Sequence, residues 1–153
     1  MAAWQGNTLH CEIWPESNGL SDDIPAEPLD YLMQTGETLN SPRASVVTSA
    51  GAVDAMLKAR GLTDGSLYKR IDEAVTTGIL TTDMAEWAHD VRLDANDQLH
   101  ADLRAIPPTL EDAKRCLEFA KGLSDILFVL PARVTRGKSV AQQTIQDLTS
   151  KVS

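Results

Sequence analysis

What the chain lacks narrows it first. Its two cysteines, Cys11 and Cys116, lie far apart and form no CxxC pair, which argues against a disulfide framework and a zinc ribbon. Two sparse cysteines suit a reducing cytoplasm, with Cys116 as a small core residue. No run of about 18 apolar residues exists, so no membrane span is expected. The first residues, Met1 to Trp14, show no basic region followed by an apolar one, so they do not read as a secretory signal. Positive charge is also scarce: 14 Lys and Arg stand against 22 Asp and Glu, a formal net charge of -8. A chain this acidic is a poor non-specific binder of nucleic acid, because phosphate contacts supply most of that affinity. An RNA role would need a local basic patch or a partner that brings the substrate.

Familiar chemical signatures are missing too. Arg136-Gly137-Lys138-Ser139 resembles only the tail of a phosphate loop, without the upstream glycine or a preceding strand. No Gly-x-Ser-x-Gly elbow occurs. Asp83, Glu86 and Asp90 share a helical face, but no Glu-x-x-His pattern accompanies them. His10 and Cys11 are adjacent, with no further ligands at suitable spacing. No metal and no cofactor is expected. Period-2 alternation between hairpin turns is absent, and so is an internal repeat.

What is there is helical periodicity. The 153 residues make one domain, and 42% of them are hydrophobic, enough to bury a core. Residues 1–24 are interrupted by Gly6, Pro15 and Gly19; Trp4, Ile13 and Trp14 make them an irregular arm that packs on the bundle or on a second copy. Pro25 to Leu39 reads as a first helix, with Leu29, Leu32, Met33 and Leu39 inward. Ser41 and Pro42 restart the chain as N-cap and first helical residue. The second helix runs to about Arg60, with Val46, Ala50, Val53 and Leu57 inward and Gly61 as C-cap. Ser66 caps a third helix through Thr77, with Leu67, Ile71, Ala74 and Val75 inward and Gly78 closing it. Thr109 caps a fifth, whose first turn holds Glu111 and Asp112 where the dipole favours anions. Its inward line is Ala113, Cys116, Leu117, Ala120, Leu123, Ile126, Leu127 and Leu130, with the Ile126–Leu130 end deeply buried, and Pro131 ends it. Ser139 caps a last, lightly amphipathic helix carrying Val140, Ile145 and Leu148. The fold class is all-α: a bundle of five to six helices over residues 25–135, with a helical tail at 136–153.

The fourth helix, expected from Asp83 to Arg104, organises the rest. Met84, Trp87, Ala88, Val91, Ala95 and Leu99 form its apolar stripe. Along the edge of that stripe run His89, Arg92, Asn96 and His100, the last three spaced by four, within one narrow sector. These are the candidate catalytic residues. His100 could deprotonate a ribose 2′-hydroxyl, Arg92 could hold phosphate oxygens, Asn96 could fix the histidine tautomer, and His89 could assist. A structural hydrogen-bond network along a packed helix, or a contact with a partner, explains the same stripe without chemistry.

Four segments together resemble a known family: Ser41-Pro42-Arg43-Ala44; Leu67-Tyr68-Lys69-Arg70-Ile71; Trp87-Ala88-His89-Asp90-Val91-Arg92-Leu93-Asp94-Ala95-Asn96 with His100; and Phe128-Val129-Leu130-Pro131-Ala132-Arg133-Val134. In this order they are similar to the prokaryotic family called domain of unknown function 4145, over about residues 25–135. That family resembles the wider HEPN group of helical bundles, several of which are metal-independent RNases that pair an Arg and a His of one helix with their copies across a homodimer. The resemblance places Arg92, Asn96 and His100 in those roles. In the catalytic HEPN pattern a polar residue follows the Arg and the His comes four to six residues further on; here Leu93 follows Arg92, and seven residues separate Arg92 from His100. The resemblance therefore implies a bundle and a homodimer ahead of cleavage. It implies an interaction module that takes a second copy and a protein partner, with defence against phage or plasmids as a setting. A metal-independent RNA endonuclease is the alternative.

Overall fold

The computed structural model describes residues 19–91, 93 and 106–153. Every regular element among them is helical: α1 (Ala26–Glu37), α2 (Pro42–Ala59), α3 (Leu67–Thr76), α4 (Thr82–Asp90), α5 (Leu110–Ser124), a π-helical turn (Asp125–Val129) and α6 (Leu130–Val152). The all-α expectation is met, as a helical bundle. No described helix is long and apolar enough to cross a membrane.

The helix starts follow local chemistry. The Ser66 side chain accepts from the Lys69 N–H, and Thr81 accepts from the Met84 N–H. Thr109 and Asp112 form a reciprocal capping box: the Thr109 hydroxyl accepts from the Asp112 N–H, and the Asp112 carboxylate accepts from the Thr109 N–H at 2.8 Å. Gly61 follows α2 at φ 85°, where a Cβ would be strained. These contacts satisfy backbone groups that a helix end leaves without partners.

α2 is the centre of the bundle, packed between α1 and α5. Its small residues let α1 come close. The Ser45 hydroxyl donates to the Thr35 carbonyl at 3.0 Å, and a Cβ on Gly51 would meet the Tyr31 ring at 2.7 Å. The core joins Leu32 of α1, Val46, Val53, Met56 and Leu57 of α2, Ile71 of α3, and Cys116, Phe119 and Leu123 of α5. α3 and α4 pack on each other and close one side.

Four expectations need correction. The fourth helix does not run unbroken from Asp83 to Arg104. α4 stops at Asp90, and Leu93 lies outside any helix, fully buried. The Val91 carbonyl, which a continuing helix would use, accepts from the Cys116 thiol at 3.4 Å. Leaving the helix carries Leu93 into the core. Second, Pro131 does not end the fifth helix. A proline in an α register would press on the carbonyl four residues back, here that of Leu127. The π turn widens the ladder just ahead of it, and the Leu130 N–H reaches the Asp125 carbonyl five residues back. The chain stays helical from Leu110 to Val152, so Ser139 lies inside α6 and caps nothing. Third, the end of that stretch is not deeply buried: Leu127 is, Ile126 is half-buried, and Leu130 is exposed. Fourth, Met33 and Trp87, placed inward by periodicity, are exposed at the bundle's edge.

Candidate functional site

Of the sequence candidates, Arg92, Asn96 and His100 lie outside the described residues, as does the His10–Cys11 pair. His89 is described, in the last turn of α4. Its imidazole stacks on the Tyr68 ring of α3, with centroids 4.8 Å apart and planes at 14°. Its Nε2 lies 3.7 Å from a carboxylate oxygen of Asp72. Both side chains are more than half exposed, so this contact orients the ring and adds little stability. Glu86 and Asp90 are exposed on the same helix. Of the described carboxylates, that of Asp72 is the one placed against the imidazole. Trp87, two residues earlier, meets Phe119 edge to face at 5.3 Å, with planes at 88°. It ties α4 to α5.

A second polar group has no signal in the sequence spacing. Arg70 of α3 is buried, and its Nη2 donates to Asp54 of α2. Lys58, one turn along α2, lies 2.6 Å from the other oxygen of that carboxylate. Burial raises the Asp54 pKa, but the hydrogen bonds from Lys58 and Arg70 and their charges outweigh it, so the net direction is down. The Nε and Nη1 of Arg70 are buried with no hydrogen-bond partner among the described residues. The pair joins residues 16 apart on different helices, a separation that no helical period encodes. Its chemistry is structural: a guanidinium held under a carboxylate ties α3 to the centre of the bundle.

Cys116 packs as the sequence suggests. Burial, together with nearby Asp112, pushes its thiol pKa up to about 11, so it is a poor nucleophile at neutral pH. Among the described residues no group of three or more His, Cys, Asp and Glu could hold a metal ion.

The remaining feature is a surface. From Arg133 to Ser153 every residue of the chain is exposed, although Leu130–Val152 is one continuous helix. Val134, Val140, Ile145, Leu148 and Val152 are 49 to 89% exposed. Among the described residues, the base of α6 is where it is tied down. Arg136 forks onto Asp23 with nitrogen–oxygen distances of 2.8 and 3.1 Å. Helix α6 is also basic, with Arg133, Arg136, Lys138 and Lys151 against Asp147, a net of +3 that leaves -11 for the rest of the chain.

No curated protein and no solved structure matches this chain. The family model described as Domain of unknown function (DUF4145) matches residues 37–147. That stretch begins at the end of α1, covers the whole bundle from α2 onward and runs most of the way along α6. The chain belongs to the DUF4145 family.

Proposed function

We propose that this chain is a dimerising helical interaction module of a prokaryotic system, with defence as the setting that its family resemblance implies. The uncovered apolar face of α6 is the observation that carries this reading. A helix of this length gains most of its stability from packing an amphipathic face, and isolated helices are marginal in water. A face bearing Val134, Ile145, Leu148 and Val152 has no packing partner among the described residues, and a partner from outside would supply it. Full burial of such side chains contributes about 1.5–3 kcal/mol each.

The RNA endonuclease alternative draws less support from what can be seen. It needs His89, Arg92, Asn96 and His100 in an open groove that attracts phosphate. The one described member, His89, lies against the Asp72 carboxylate, a charge that repels phosphate.

One purified sample tests both. Light scattering after size exclusion is expected to give a mass of two chains of 16.6 kDa, and labelled RNA incubated with the same fraction in EDTA is expected to stay intact. A single-chain mass at every concentration tested refutes the dimerising module. Cleavage that is lost in the His100→Ala chain establishes the nuclease instead.

A further inference from the structure

We propose that two copies of this chain pair through α6, side by side and antiparallel, with Ala141 of one copy beside Ile145 of the other. This inference rests on the dimerising reading above and names its surface.

The argument begins with register. Val134, Lys138, Ala141, Ile145, Leu148 and Val152 step along α6 by 4, 3, 4, 3 and 4 residues. That is the spacing of a two-helix seam, in which alternate positions three and four apart face a partner helix. All six are exposed. Val140 is exposed as well but lies outside this line. The stepping reads the same from both ends. An antiparallel copy therefore sets Val134 beside Val152, Lys138 beside Leu148 and Ala141 beside Ile145, and a two-fold axis repeats each pair. Ala141 at the middle lets the two backbones approach. The flanks carry no charge that would oppose a second copy: Gly137, Gln142, Thr144 and Thr149 are neutral, and Lys151 stands alone near the tip.

Charge selects the direction. Arg133, Arg136 and Lys138 crowd the base of α6, whereas Asp147 and Lys151 balance in its outer half. Parallel pairing would set three cations of one copy against the same three of the other. It would also bring the two acidic bodies, -11 each, to the same end. Antiparallel pairing lays each basic base against a neutral outer half. The bodies then sit at opposite ends of a seam about 27 Å long, from the 18 steps between Val134 and Val152 at about 1.5 Å of rise each, and beyond the screening length of physiological salt. In the paired helices the stem of Lys138 covers Leu148 while its ammonium reaches water.

Cysteine trapping tests the arrangement, in a Cys11→Ser background with Cys116 left in the core. Mixing the Ala141→Cys chain with the Ile145→Cys chain under mild oxidation is expected to give a cross-linked dimer that neither chain forms alone. A cross-link that the Ile145→Cys chain forms with itself, with no mixed Ala141→Cys/Ile145→Cys species when the two chains are combined, indicates parallel pairing and overturns the proposal. In light scattering, Ile145→Asp with Leu148→Asp is expected to lower the mass from two chains to one. The melting of the bundle, followed by tryptophan fluorescence, should stay unchanged. A double variant that remains a dimer overturns the placement on α6 and leaves the dimerising reading standing. A wild-type chain that is a monomer overturns both.

Discussion

Helices α5 and α6 belong to one unbroken helical stretch, yet they live in different surroundings. α5 buries Ala113, Cys116, Leu117, Phe119, Ala120 and Leu123. α6 buries nothing. The two lie end to end, joined by the π turn, so geometry alone does not explain the contrast. α5 has a continuous apolar line that matches the groove beside α2, and its burial holds it helical. α6 has fewer apolar residues, separated by Thr, Gln and Lys, and leaves the bundle at Leu130. One helix is stabilised by the fold it belongs to; the other extends from that fold with its apolar residues exposed. A helical pattern in a sequence thus specifies a face, and only the surroundings decide what covers it.

The largest expected effect breaks this contrast at its strongest point. Phe119 is fully buried and carries the Trp87 contact. Phe119→Ala should destabilise the bundle by about 3–5 kcal/mol, through lost transfer energy and the cavity left behind. Leu148→Ala, on α6, should change bundle stability by less than about 0.5 kcal/mol. Urea unfolding followed by tryptophan fluorescence, at a concentration where the chain is monomeric, compares them directly. If the two variants lose equal stability, α6 is part of the core and the contrast is wrong.

A middle-sized effect sharpens the comparison on the polar side. The Arg70–Asp54 pair is inside the bundle, whereas the Arg136–Asp23 pair sits at the foot of α6. Asp54→Ala leaves the Arg70 guanidinium buried without its carboxylate, so a loss of about 2–3 kcal/mol is expected, below the range for a fully enclosed pair because Asp54 is 31% exposed. Arg70→Met removes the charge together with two donor nitrogens that have no partner among the described residues, and should cost less than Asp54→Ala. The reverse order, read from denaturation midpoints, would mean that the guanidinium itself holds α3 in place. The Asp54 carboxyl has its pKa lowered, so its contribution is present at neutral pH. It is lost as pH falls below the ordinary carboxylate value of about 3.9 and through the folded value.

The same contrast explains which parts were legible in the sequence. Val46, Ala50, Val53 and Leu57 were readable as a buried line because α2 is packed on two sides, and all four are buried. Ser66 and Thr109 were readable as caps because capping is local. Pro131 misled because its effect depends on the turn before it: a proline breaks an α ladder but fits the end of a π turn. The stop of α4 at Asp90 was illegible because what accompanies it is tertiary: the Cys116 thiol on the Val91 carbonyl, 25 residues apart, and the burial of Leu93. Arg70 was hidden for a similar reason, since its carboxylate comes from another helix. His89 was found on the edge of its stripe, but Tyr68 beneath it comes from α3. The other members of that stripe, Arg92, Asn96 and His100, fall outside the described residues, and their role rests on the resemblance.

The smallest effect concerns the foot of α6. Arg136 forks onto Asp23, and the hydrogen bond from its guanidinium holds the Asp23 carboxyl below its ordinary pKa, with the Arg136 and Arg133 charges helping. A depressed carboxylate adds stability above its unfolded pKa and loses it as pH falls through the folded one. The pair is exposed, so salt screens it and its share of bundle stability is small. Its consequence is local: it fixes where α6 leaves the bundle. An NMR titration of the Asp23 carboxyl should give a midpoint below the ordinary value in the wild-type chain. In Arg136→Gln that midpoint should return upward, while the melting of the bundle hardly moves. A midpoint that is the same in both chains would show that α6 is not anchored there, and the contrast between a packed helix and a tethered one would have to be drawn closer to the π turn.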